Sequence, residues 1–192
     1  IVVLKEQIRK NPEFLEIRSV EDLDRCLEDH LIGIILYMEG LDCIGSDVRL
    51  LTALWELGVR GASLTWSRRN LLASGCCKAS ECYEIRGGLS PEGFDVVREM
   101  ERLRMFVDVS HLNDDGFENI RETAIRPFMA THSNSREVAF HYRNLTDTQM
   151  QILADQGGIA GLNGYVRLVS ETAEEEYPDE NGVYCLEKLC MH

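Results

Sequence analysis

Apolar and polar positions follow a repeating order along this chain: a short apolar run, a loop, then an amphipathic stretch at helical spacing. The clearest run, Leu31 to Met38 (LIGIILYM), is continuous rather than alternating, which predicts a strand buried on both faces. Asp47 to Leu57 reads as a helix, with Leu50, Leu51, Leu54 and Leu57 on one face and Gly58 placed to end it. Ala62 to Thr65 predicts a second short strand. Ser90-Pro91 supplies an N-cap and a proline at the first helical position, opening a helix to about Arg104. Met105 to Val109 predicts a third strand, and Glu118 to Ala124 belongs to the next helix. Pro127 to Thr131 predicts a fourth, followed by a helix around Arg136 to Tyr142. Thr146 caps a helix to Asp155, Gly157-Gly158 ends it, and Ile159 to Leu162 predicts a fifth strand. Upstream, Phe14 to Ile17 adds one more, with Ser19 and Asp22 as a capping box before a helix over Glu21 to Asp29.

Strands alternating with helices imply parallel pairing through right-handed crossovers. Five or six such units fit an open doubly wound sheet or most of a (β/α)8 barrel. No Gly-x-Gly-x-x-Gly follows any strand, so the dinucleotide-binding form of the open sheet lacks its phosphate loop. Two stretches break the rhythm. Leu71 to Gly88 is a long connection without periodicity, a length usually kept for functional or mobile loops. Glu171 to Glu180 packs six acids into ten residues and reads as a solvated insertion. The chain opens on Ile1 without a signal-type segment or helix cap, and closes on a helical pattern, Cys185 to His192, that simply stops. Both ends read as cuts.

Composition narrows the functions open to such a chain. At 44% hydrophobic and 28% charged it is too apolar for general disorder, and 192 residues can bury one sizeable core. Twenty basic against 33 acidic residues give a net charge of −13. That leaves no basic footprint for nucleic acid or for an anionic membrane surface. No apolar run approaches the roughly 20 residues of a membrane span. Seven cysteines, an odd and scattered set, suit reduced thiols in a cytoplasm better than a disulfide framework. Cys76, Cys77 and Cys82 lie close together but lack the paired spacing of a zinc ribbon.

The candidate chemistry follows the strands. After LIGIILYM comes Glu39, after MFVDV comes Ser110-His111, and after PFMA comes Thr131-His132-Ser133-Asn134. In parallel α/β folds the loops beyond the C-terminal strand ends converge on the active site. A glutamate and two histidines at three such ends point to a metal centre, in which a carboxylate can bridge two cations about 3.5–4 Å apart. Asp108, one residue out of phase in its strand, fits a hydrogen-bond acceptor behind the ligands. Arg143 fits either a helix-flanking charge or a bidentate clamp on a carboxylate. His30 and His141 read as structural or solvent-exposed.

Several longer motifs carry a family resemblance. Glu39-Gly-Leu-Asp-Cys-Ile-Gly45, Leu54-Trp-Glu-Leu-Gly-Val-Arg60, Ser63-Leu-Thr65 and Gly88-Leu-Ser-Pro-Glu-Gly-Phe-Asp-Val-Val-Arg-Glu-Met100 are four of them. Val107-Asp-Val-Ser-His111, Thr131-His-Ser-Asn134, Arg143-Asn-Leu-Thr-Asp147 and Gly157-Gly-Ile-Ala-Gly-Leu-Asn163 complete the set. In order and spacing they resemble the membrane dipeptidase (renal dipeptidase) family of zinc metallopeptidases, peptidase family M19. The resemblance implies a (β/α)8 TIM barrel of the metal-dependent hydrolase type with a binuclear zinc site, acting on small dipeptides. Residues 1–192 would then form a single partial barrel domain, lacking the first strand and the last βα units. Carried over by position, Glu39 matches the bridging glutamate, and His111 and His132 match the two histidines of the second zinc. Arg143 matches the arginine that binds the dipeptide's C-terminal carboxylate, and Asn163 and Tyr165 match a strand end lining the pocket, with Gly164 between them in place of an aromatic residue.

Three departures stand out. The family's His-x-Asp pair for the first zinc and its Gly-Ser-Asp-Phe-Asp-Gly-like segment with a catalytic aspartate do not occur in these 192 residues. Trp66 stands where the family has a substrate-contacting histidine, and an indole cannot exchange a proton as general acid or base. The expectation is therefore a zinc dipeptidase whose 192-residue portion is inactive by itself, with neither nucleic-acid binding nor membrane insertion and with homodimerisation left open. The rivals are a hydrolase of another amide or a lactone, its pocket altered by Trp66, and a non-catalytic binding protein derived from the barrel.

Overall fold

Parallel pairing joins every named strand to its neighbour in a computed structural model that describes residues 1–76, 87–170 and 190–191. The described elements run α1 (Val2–Lys10), β1 (Phe14–Glu16), α2 (Val20–Glu28), β2 (Ile32–Ile34) and β3 (Leu36–Glu39). A 3-10 turn (Asp42–Ile44) leads to α3 (Arg49–Glu56), β4 (Val59–Ser63), α4 (Pro91–Arg102), β5 (Phe106–Asp108), α5 (Asp114–Thr123), α6 (Asp147–Asp155) and α7 (Val166–Val169). β1 pairs with β2, and β3, β4 and β5 pair in that order. Single parallel bridges continue the arc from Asp108 to Met129 and from Ala130 to Ala160. This is the helix-backed parallel α/β architecture that the alternation predicts.

Local chemistry explains where the elements begin and end. The Ser90 hydroxyl accepts from Gly93 N–H at 3.1 Å, and Pro91 opens α4, whose missing N–H would have no helical partner anyway. Thr146 and Gln149 form a reciprocal capping box on α6, each side chain accepting from the other's backbone N–H at 3.2 and 2.9 Å. α2 is capped by Ser19, which accepts from Asp22 N–H, while Asp22 reaches back to Arg18 N–H rather than to Ser19. Gly58 ends α3 at φ +99°, a conformation that favours glycine. The core begins at Leu36 and gathers Leu51, Val59, Leu64, Val96, Met100, Val107, Phe117, Ile120 and Phe128, among others, between the sheet and α3 to α6.

Several details differ from the sequence reading. Leu31 to Met38 is two short strands, not one: β2 joins β1, β3 joins β4, and Ile35 lies exposed between them. Its faces are not both covered, since Ile32 is 56% exposed. The second strand runs Val59–Ser63, beginning three residues and ending two residues earlier than the apolar pattern suggested. Pro127 to Thr131 and Ile159 to Leu162 make only single bridges. Arg136 to Tyr142 forms turns instead of a helix, because Arg136 folds back to donate its backbone N–H and Nε–H to the carbonyls of Leu145 and Asn144. α1 went unread because its apolar residues face outward, with Ile8 alone buried. Cys77, Cys82, the acidic stretch 171–180 and all but Cys190 and Met191 of the terminal helical pattern lie outside the described residues.

Candidate metal centre

Three stacked positions in the sheet build the floor of the site. Tyr37, Gly61 and Phe106 stand in register across β3, β4 and β5. The rings of Tyr37 and Phe106 stack at 5.9 Å, 3° from parallel, across the glycine between them. A Cβ at Gly61 would lie 2.1 Å from the Phe106 ring, so the stack requires glycine there. The stack directs the Tyr37 hydroxyl onto Asp108 Oδ2 at 2.6 Å. Burial, then the Asp108 charge, raises the Tyr37 pKa above its ordinary value, so it stays a donor.

Above this floor the strand ends deliver their side chains. Glu39 closes β3, and Gly40 turns the chain away at φ +90° while donating its N–H to Ser63 Oγ at 2.9 Å. His111 follows β5 at φ +79°, an uncommon conformation for a non-glycine residue. The turn is held from outside: the His111 carbonyl accepts from Cys76 N–H at 2.7 Å, and Gly75 and Leu112 form an antiparallel bridge beside it. His132 sits past the Met129 and Ala130 bridges, its N–H donating to Ser110 Oγ at 3.1 Å. The three side chains meet. His111 Nε2 lies 2.7 Å from Glu39 Oε1 and 2.9 Å from His132 Nε2, and His132 Nε2 lies 3.4 Å from the same Glu39 oxygen.

These contacts can be tested against donor and acceptor chemistry. Burial, then Arg143 and His132, pulls the His111 pKa down to about 3, and burial, then Arg143, lowers that of His132. Both imidazoles are therefore neutral at ordinary pH, each with one lone-pair nitrogen. Three atoms rich in lone pairs thus converge with too few protons to join them all. A divalent cation resolves that conflict, and the observed spacings approach the roughly 3.3 Å between neighbouring donors at tetrahedral zinc. The donor set fits a metal ion.

Arg143, whose charge bears on both imidazoles, makes no ion pair with a carboxylate among the described residues. It is only 7% exposed, with Nη1 donating to Ser133 Oγ and Nη2 to the His132 carbonyl, each at 3.0 Å. Burial lowers its pKa from the usual arginine value. A buried cation held only by neutral groups is costly until an anion joins it. Trp66 is 54% exposed, and its ring centroid lies 5.8 Å from that of His111. Asn163 reaches the same wall, its Nδ2 3.4 Å from the His132 carbonyl and its N–H donating to Asn134 Oδ1. Tyr165 stands exposed at the start of α7, its backbone N–H held by Asn163 Oδ1 at 2.8 Å. His141 accepts from Arg143 N–H in a turn, and His30 ends α2 at φ +54°.

Sequence reasoning missed Tyr37, Ser67 and the part played by Thr131. Ser67 Oγ lies 3.2 Å from His111 Nδ1, and Thr131 Oγ1 lies 2.7 Å from His132 Nδ1. A hydroxyl next to a candidate ligand, as in Thr131-His132, was the available signal. Asp108 is found where an acceptor behind the ligands was expected, fully buried with both oxygens in use.

Fold and site together define a class: a parallel α/β protein with a carboxylate–imidazole cluster at its C-terminal strand ends. Comparison narrows the class to a family. The model of the membrane dipeptidase family, peptidase family M19, matches residues 1–182, and the chain belongs to that family. It is 32% identical over 165 residues to the uncharacterized protein in the pqqA 5′ region of Klebsiella pneumoniae, covering 85% of this chain and 61% of that one. It superposes on the dipeptidase AC, a metallopeptidase of family M19, with a TM-score of 0.86 and 28% identity, covering 99% of this chain and 55% of the other. A metallopeptidase from Rhodobacter sphaeroides, liganded with a phosphinate mimic of the dipeptide L-Ala-D-Ala, gives a TM-score of 0.81 and 30% identity over 89% of this chain and 49% of its own. The chain thus spans about half to three-fifths of these relatives.

Proposed function

We propose that this chain carries the metal centre of a zinc-dependent dipeptidase that hydrolyses the peptide bond of small dipeptides. The observation that carries the reading is the convergence of Glu39, His111 and His132 beside the buried Arg143, which has no carboxylate partner among the described residues. A bound zinc ion supplies a polarised water as nucleophile and a Lewis acid for the scissile carbonyl. Glu39 would hold the cation through its carboxylate, and the two imidazoles through Nε2. Arg143 would anchor the free carboxylate of the dipeptide, gaining the anion its burial favours and fixing the peptide bond relative to the centre. Asn163 would close the wall beside His132, with Tyr165 at its rim. Trp66 would offer a flat apolar face where a proton-exchanging histidine is expected from the family pattern. These residues form one partial barrel domain. By themselves the 192 residues would show little or no dipeptide turnover, because the His-x-Asp pair and the catalytic aspartate of the family pattern are not among them.

The family model and the dipeptide mimic on the Rhodobacter sphaeroides protein support the substrate class. The test is dipeptide hydrolysis by metal-loaded protein that also carries the His-x-Asp pair and the catalytic aspartate of the family pattern, with and without Arg143→Met. KM should rise by tenfold or more for free dipeptides and stay unchanged for C-terminally amidated ones. An equal KM for both in the variant and the unaltered protein contradicts the assignment. The exposed Trp66 ring beside His111 favours one second reading, an altered substrate class such as another amide or a lactone. Gain of dipeptide hydrolysis in Trp66→His would select it.

A further inference from the structure

Behind His132 runs a chain of hydrogen bonds that determines which ring nitrogen carries its proton. Asp108 is fully buried at the end of β5. Its Oδ1 accepts from the backbone N–H groups of Ser110 and Thr131 at 2.8 and 3.0 Å. Its Oδ2 accepts from the Tyr37 hydroxyl at 2.6 Å and from the Thr131 hydroxyl at 2.5 Å. A carboxylate has no proton to give, so all four contacts run toward it. The Thr131 hydroxyl has a single hydrogen, and Asp108 takes it. Toward His132 Nδ1, 2.7 Å away, Thr131 Oγ1 can then only accept. Nδ1 must therefore be the protonated nitrogen, which leaves the lone pair on Nε2, the atom that meets Glu39 and His111.

From this accounting we infer that Asp108, acting through Thr131, locks His132 in the Nδ1–H tautomer and so presents Nε2 to the metal centre. Asp108 and Thr131 are positioning residues: neither touches the centre, and both decide how a residue that does is wired. Tyr37 belongs to the same device, because its hydroxyl fills the remaining site on Oδ2, and the stack over Gly61 keeps it there. The inference rests on the metal-centre reading for its consequence, but its hydrogen-bond content stands on this chain alone.

The experiment is long-range proton–nitrogen correlation on the full chain, 15N-labelled at histidine and stripped of metal, with zinc affinity measured in parallel by chelator competition. Unaltered His132 should show a protonated Nδ1 and an unprotonated Nε2. In Asp108→Asn the carboxamide keeps the shape but donates to Thr131 Oγ1. That frees the Thr131 hydrogen for Nδ1 and should shift His132 to the Nε2–H form, with zinc affinity falling about 10–100-fold. Thr131→Ser should retain both tautomer and affinity, and Thr131→Val should lose the single tautomer, which covers the case in which Asp108→Asn does not fold. An Nε2–H tautomer in the unaltered chain, or an unmoved tautomer in both Asp108→Asn and Thr131→Val, overturns the inference. An unaltered chain with the Nδ1–H tautomer that binds no zinc contradicts the metal-centre reading instead, so the two failures are distinguishable.

Discussion

The N-terminal unit, α1 through β2, buries only Ile8, Ile17 and Cys26 among its apolar side chains, whereas the segment from Leu36 to Leu153 supplies the entire hydrophobic core cluster. Both regions use the same local devices. Ser19 caps α2 as Ser90 caps α4, and short parallel strands pair in each. What differs is the packing above the elements. Val2, Val3, Val20, Leu27 and Ile32 stay exposed on one side, while Leu51, Val96, Met100 and Ile120 are fully covered on the other. Local rules make helices and strands in either region. Only the second packs them into a covered core, and the strand ends above that core carry the Glu39, His111 and His132 cluster.

Stability measurements by denaturant unfolding can break this contrast or sharpen it. The largest effect is expected at Phe117, fully buried and edge-on to Phe128 at 5.7 Å: Phe117→Ala should cost about 3–5 kcal/mol. Gly61→Ala should cost about 1–3 kcal/mol, because the new methyl drives into the Phe106 ring. Ser19→Ala and Ser90→Ala should each cost about 1 kcal/mol. A normal loss for Ser90 with none for Ser19 would show that the N-terminal unit unfolds on its own, breaking the claim that both regions obey the same local rules. The smallest effect is expected at Leu27, 65% exposed, where Leu27→Ala should stay within about 0.5 kcal/mol. A larger loss there would mean that the exposed face is packed in solution.

How much was legible in the sequence follows the same division. Caps and glycine stops have local causes, so the starts of α2, α4 and α6 and the end of α3 were readable from Ser19, Ser90, Thr146 and Gly58. The division of Leu31 to Met38 into β2 and β3 was not, because it depends on which neighbour each half pairs with. The turns at Arg136 to Tyr142 were hidden for a like reason: side-chain and backbone donors of Arg136 outweigh the helical propensity of the stretch. The meeting of Glu39, His111 and His132 was legible in their positions after strands, and the acceptor place of Asp108 in its phase. Ser67, Tyr37 and Thr131 act through hydroxyl groups whose partners lie 44, 71 and 23 residues away, at His111, Asp108 and Asp108. No spacing rule reaches that far.

Everything proposed for the site depends on Glu39, His111 and His132 together holding a divalent cation. Calorimetric titration of zinc into the metal-free chain tests it directly, run beside Glu39→Ala and His132→Ala. A cation held jointly by the three side chains requires saturable binding to the unaltered chain and loss of that binding in both variants, with their folds intact. Undiminished binding in either variant, or none in the unaltered chain, would contradict it.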